Sequence, residues 1–222
     1  MKKNVERNMW YIFRHGETFF NKKNMRQGHV KNSFLTFEGA IQAHMNGLKL
    51  KKLRDNFDDF KFICTPLERT YQTIQLMGES LGIVPLTPIQ DELIISRSRG
   101  KFEGHRPEDF EKLFPIEYKN VMDNPWSYEF EGYESYKNSY LRLAKFIKKY
   151  EKENLVVVAH KGVNRNMMFL LQKNKEINDL LGWINGLGDR DGSRVINELK
   201  ASVPTFNQNY FYSWDGNEFI KY

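Results

Sequence analysis

Three short stretches bring chemically capable side chains to the ends of apolar runs. Trp10 to Phe13 runs into Arg14-His15-Gly16; Phe60 to Cys64 runs into Thr65-Pro66-Leu67-Glu68-Arg69; Leu155 to Ala159 runs into His160-Lys161-Gly162. Arginines beside a histidine favour its neutral, nucleophilic form near neutral pH, and their forked donors match phosphate oxygens bidentately. Two histidines and two arginines at one place therefore suit phosphoryl transfer. No HxH, HExxH or CxxC spacing occurs, and no carboxylate stands at ligand spacing from the histidines, so neither a metal nor another cofactor is expected.

For these groups to meet, the apolar runs must lie side by side. Continuous apolar runs of about five residues followed by helical patterns mark strands of a parallel sheet covered on both faces, and ligands bind at the carboxyl ends of such strands. Helices are predicted from Thr65-Pro66 to about Leu81 and from His160 to about Leu171. Thr65-Pro66-Leu67-Glu68 reads as a capping box with proline at the first helical position. Thr36 is expected to cap a helix running through Leu53, with Ala40, Ile41, His44, Gly47 and Leu48 on its buried stripe. Arg69 falls in a first helical turn, where a cation opposes the helix dipole by about 0.3 to 1 kcal/mol. A nearby anion explains that placement, and so does an exposed pairing with Glu68 or Gln72. Tyr210 to Trp214, Asp215-Gly216-Asn217 and Glu218 to Tyr222 read as a closing hairpin or edge strand. The expected architecture is a three-layer α/β/α domain over 1–222, with a mostly parallel central sheet. Within it the proline-bearing, aromatic segment 104–133 forms a helical and loop subdomain or lid.

Arg14-His15-Gly16-Glu17-Thr18, with Asn21 three residues on, resembles the signature of the histidine phosphatase superfamily, the phosphoglycerate mutase-like family. Further matches follow in order: Gln27-Gly28 with Leu35-Thr36 and Gly39; Thr65 to Arg69 with Thr73; Gly132 to Ser135 with Arg142; and Val156 to His160 with Gly162-Val163. The resemblance implies that His15 attacks phosphorus to give a phosphohistidine that water hydrolyses. Arg14, Arg69 and His160 would neutralise the equatorial oxygens. Asn21, Thr18, Gly28 and Lys161 would line the phosphate or substrate site.

One departure from the family pattern bears on mechanism. Members carry a glutamate as proton donor in a stretch resembling L-x-E-R-x-x-G-x-x-E-G, and here Arg97, Gly100 and Glu103-Gly104 set the register so that Ser96 stands at the donor position. A positioned general acid contributes about 10² to 10⁴ in rate, so alkyl phosphates should turn over slowly unless Glu92 or Glu103 substitutes. Lys161, standing where many members have glycine, faces either solvent or substrate, and the same choice holds for Arg97, Arg99 and Lys101. His29 is expected in a surface loop or at the rim, and His105 carries no assignment. The paired arginines and proline run by which mutases grip a carboxylate are missing between Gly104 and Tyr133. A phosphatase reading is therefore preferred over a mutase or a weakly catalytic phosphate-binding module.

The chain of 222 residues carries 34 Lys and Arg against 28 Asp and Glu, a net charge of +6. That balance favours an anionic ligand, but the basic residues are interspersed with acidic ones and no nucleic-acid motif occurs, so a small phosphorylated compound is expected. No apolar run approaches the roughly 20 residues of a membrane span, and the start, Met1-Lys2-Lys3, lacks a signal-type apolar stretch. Cys64, the single cysteine, is expected to pack in a strand, which together with these features fits a reducing cytoplasm.

Overall fold

The computed structural model describes residues 8–174 and 179–222; the opening Met1-Lys2-Lys3 lies outside them. Six strands form one sheet in the order β3-β2-β4-β1-β5-β6. β1 (Trp10–Arg14), β2 (Phe60–Cys64), β3 (Ile89–Gln90) and β4 (Asn154–Ala159) run parallel. β5 (Tyr212–Trp214) and β6 (Phe219–Lys221) close the edge antiparallel, as the expected hairpin.

Strand side chains alternate between two apolar layers, the reason the runs are apolar apart from Lys61 of β2, which is exposed and pairs with Glu153 at 2.7 Å. Trp10, Ile12, Ile63, Leu155, Val157 and Ala159 face one layer, covered by α6 (Tyr136–Tyr150), α7 (Lys161–Asn174), α8 (Leu180–Gly186) and α9 (Asp189–Ser202). Tyr11, Phe13, Phe60, Phe62, Cys64, Val156 and Val158 face the other, covered by α2 (Phe37–Leu53) and α3 (Glu68–Leu81). Cys64 is fully buried, and burial pushes its thiol up to about 12, leaving it a packing residue.

Thr36 does cap α2, its hydroxyl accepting from the Gly39 amide at 3.0 Å. The buried stripe, however, is Gly39, Ala43, Asn46, Gly47 and Leu50. Ile41 is 41% exposed and His44 is also exposed, its Nδ1 lying 2.7 Å from the Ser80 hydroxyl. Backbone proximity, not side-chain apolarity, sets the rotation: a Cβ on Gly39 would lie 2.1 Å from the Glu17 carbonyl oxygen, and one on Gly47 2.7 Å from Ser80 Cβ.

Between the sheet elements lie α1 (Phe19–Lys22), α4 (Phe110–Leu113) and α5 (Pro115–Asp123). The segment 104–133 carries α4 and α5 and, with Phe102, has its own small apolar cluster of Phe102, Phe110 and Tyr133. Phe114, Tyr118, Val121 and Phe130 pack around it. Among the described residues no helix is long and apolar enough to cross a membrane.

Candidate active site

β4 lies between β1 and β2, with Arg14 in register with Ala159 and Cys64 with Val158. The residue that follows β4, His160, is therefore flanked by Arg14-His15 on one side and Thr65 to Arg69 on the other. The imidazoles of His15 and His160 are 5.3 Å apart between centroids, inclined at 62°. A cleft of about 290 Å³ opens above them.

His15 is buried; its amide donates to the Ala159 carbonyl at 3.0 Å, and the strand end before it is held by Asn164 Nδ2, which donates to the Phe13 carbonyl at 2.9 Å. Its Nδ1 lies 2.7 Å from the Gly16 carbonyl, which can only accept, so the proton sits on Nδ1 and the Nε2 lone pair is free. Burial, then Arg14 and Arg69, hold its pKa well below the ordinary histidine value. His160 is shifted the same way by burial, Arg69 and His15, and its Nε2 lies 3.2 Å from the Thr65 hydroxyl. Both rings are thus neutral at neutral pH.

The hydroxyl of Thr65 also lies 2.7 Å from that of Thr70, and α3 begins at Glu68 with no side-chain cap. The expected capping box does not form, because the Thr65 side chain turns to His160 and Thr70 instead. Arg69 is buried, not paired with Glu68 or Gln72. Its guanidinium donates to the carbonyls of Gly28 at 2.8 Å and Val30 at 3.0 Å, while Nε has no partner among the described residues. Arg14 Nε is likewise buried without a partner. Burial is the first cause lowering both arginines to about 10, and they remain charged at neutral pH.

Gly28 has φ +46°, and a Cβ there would meet Glu103 Oε1 at 1.9 Å. That glycine lets the first loop pass close enough to hand its carbonyl to Arg69. Asn21 lines the cleft; its Oδ1 accepts from the Thr18 amide at 3.2 Å, leaving Nδ2 without an acceptor among the described residues. Thr18 itself is fully buried and caps α1, so its side chain does not reach the cleft expected of it. Lys161 and Arg99 line the cleft, whereas Arg97 donates to the Glu134 carbonyl at 3.1 Å and Lys101 pairs with Glu117 at 2.6 Å.

Ser96 also lines the cleft. Its carbonyl accepts from His29 Nε2 at 2.7 Å, so His29 fixes the loop and is not a rim residue. Arg142, bidentate to Glu134 at 2.6 and 2.9 Å, ties the same loop down through the Leu93 carbonyl at 2.8 Å. Glu103 is turned away: its Oε1 accepts from the amides of His29 and Arg99, each at 2.9 Å. Glu92 is exposed in a turn. Among the described residues no carboxylate lines the cleft, but six cations do: Arg14, Arg26, Arg69, Arg99, Lys161 and Arg165. Arg26, Arg165 and Tyr136, also in the lining, carry no sequence signal: the first two stand singly in a loop and a helix, and Tyr136 begins α6. Burial would raise the Tyr136 phenol, yet Arg97 and Arg99 outweigh it and hold it below the usual value.

A neutral histidine with a free Nε2 thus stands among guanidinium groups at the carboxyl ends of parallel strands, an arrangement whose charge suits an anion such as a phosphate group. The model of the histidine phosphatase superfamily (branch 1) matches residues 10–182, and the chain belongs to that family. It is 28% identical over 153 residues to phosphoserine phosphatase 1 of Hydrogenobacter thermophilus, covering 67% of this chain and 69% of that one. It is 26% identical over 168 residues to the 2,3-bisphosphoglycerate-dependent phosphoglycerate mutase of Azorhizobium caulinodans, covering 73% and 80%. The fold matches the crystal structure of the alpha-ribazole phosphatase of Shigella flexneri with a TM-score of 0.65, at 20% identity over 92% of this chain and 89% of that one.

Proposed function

We propose that the chain is a metal-independent phosphomonoesterase acting through a phosphohistidine on His15, with a small phosphorylated compound as substrate. The observation that carries this reading is the Nδ1 hydrogen bond of His15 to the Gly16 carbonyl, which leaves Nε2 as a lone pair beside Arg14, Arg69 and His160. Nε2 attacks phosphorus, the Nε2–P bond forming as the bond to the leaving oxygen breaks and that oxygen takes up a proton from solvent water. Water then attacks, the N–P bond breaks with its electron pair returning to Nε2, and inorganic phosphate leaves. The arginines and Asn21 Nδ2 stabilise the charge that builds on the equatorial oxygens. These cations supply in protein side chains the neutralisation that a metal gives elsewhere, which supports the metal-independent reading.

With Ser96 at the donor position, the leaving oxygen receives its proton from no lining carboxylate among the described residues. Leaving groups that need little protonation, such as phenols and acyl phosphates, are the better substrates. The same observation favours a second reading, a phosphate-binding module with weak catalysis. Assay of phenyl phosphate in the presence of a chelator separates the two: turnover supports the enzyme, and phosphate binding without turnover supports the module. Interconversion of 3- and 2-phosphoglycerate would instead establish a mutase.

A further inference from the structure

Off the cleft opens a side pocket of about 120 Å³, enclosed by the loop 96–99, the first turns of α6 and α7, and the end of α9. At about 30 Å³ of liquid per water it holds several waters, the scale of one oxyanion head. Ser96, Arg99, Tyr136, Gly162 and Arg165 line both the pocket and the cleft, so the two are continuous.

The pocket walls are cationic and under-satisfied. Arg99 makes no side-chain hydrogen bond or ion pair to any described residue, although its backbone amide is taken by Glu103. Burial first, then the neighbouring Arg97, lower its guanidinium to about 10, so it stays charged. Arg165 is anchored by Nη2 to the Val203 carbonyl at 2.8 Å, while its buried Nε has no partner among the described residues. Ser139, 0% exposed, also lines the pocket with its hydroxyl unpartnered. Arg97 and Lys200 add two further charges, and no carboxylate is among the described lining residues. Buried donors left open cost free energy unless an acceptor fills the space, and guanidinium groups here present forks suited to a planar or tetrahedral oxyanion.

We propose that this side pocket is a second oxyanion subsite, which receives a carboxylate or phosphate at the far end of a substrate whose phosphomonoester lies against His15. The proposal rests on the phosphatase reading for the phosphoryl end only. The preferred substrates then carry at least two anionic groups, and a simple phosphomonoester fills half of the site.

Equilibrium binding tests this without requiring turnover. In a His15→Ala chain, dissociation constants are measured by calorimetry for phenyl phosphate and for 3-carboxyphenyl, 4-carboxyphenyl and 4-(carboxymethyl)phenyl phosphate, which span several reaches. At least one carboxylated probe is expected to bind about tenfold or more tighter than phenyl phosphate, and adding Arg99→Gln is expected to remove that preference. Should the Arg99→Gln chain not fold, Lys200→Gln, at an exposed position on the same wall, is expected to reduce it. Equal affinity for all four probes, or a preference that survives the substitution, overturns the subsite. If the wild-type chain turns over none of the probes while the binding preference holds, the phosphatase reading fails and the subsite stands.

Discussion

The amide of Gly16 donates a 3.0 Å hydrogen bond to Oγ1 of Thr73, and that hydroxyl donates in turn to the carbonyl of Arg69 at 2.7 Å. The loop that carries His15 is thereby tied to the helical turn that carries Arg69. His15 and Arg69 keep one spacing because a single buried hydroxyl serves both.

Thr73→Val keeps the shape and removes that hydroxyl. The buried Gly16 amide loses its acceptor, which costs about 1 to 3 kcal/mol. Urea unfolding should show that loss, and kcat on phenyl phosphate should fall with it. Unchanged stability would mean that the link carries no load.

Gly39→Ala is expected to destabilise by about 1 to 3 kcal/mol as an overpacking change, because the new Cβ would meet the Glu17 carbonyl oxygen at 2.1 Å. The strain falls on the backbone directly after Arg14-His15-Gly16, so activity should drop further than the residual folded fraction accounts for. Thermal unfolding and the specific activity of the folded chain check the two parts separately.

Ser96→Glu restores a carboxyl at the donor position. The rate on an alkyl phosphate such as propyl phosphate should rise by about 10² or more, and the rate on phenyl phosphate should rise much less. Equal responses of the two substrates would show that leaving-group protonation does not limit the reaction.

Both histidines of the cleft are held below their ordinary pKa, first by burial and then by arginines and, for His160, by His15. The unfolded chain therefore binds protons that the folded chain refuses as pH drops below the unfolded value, about 6.5. Their neutral burial costs nothing above that pH, and below it stability falls by up to about 1.4 kcal/mol per pH unit for each histidine. NMR titration should find both rings neutral at pH 6.5, and denaturant unfolding should show the decline beginning there. Ordinary titration of either ring near 6.5 would contradict the burial argument.

How much of this was legible beforehand depended on whether a feature was local. β1, β2, β4 and the closing hairpin were readable because apolar runs bounded by polar turns report burial directly. The convergence of Arg14, His15, Arg69 and His160 followed from strand ends meeting at one sheet edge. The rotation of α2 was not readable, since glycines at 39 and 47 choose its face by close approach to the backbone of Glu17 and to the Ser80 side chain and Met77 backbone. Thr65 imitates a capping residue, and its partner His160 is 95 residues away. Arg165 and Tyr136 reach the cleft from α7 and α6 without any motif, and only the folded chain brings them beside Arg99.

Covalent labelling identifies the nucleophile most directly. After a brief incubation with ³²P-labelled phenyl phosphate and an alkaline quench, the wild-type chain should retain label that is stable in base and released by acid, and His15→Ala should retain none and show no turnover. Label or turnover persisting in His15→Ala would contradict the assignment of His15 as the nucleophile.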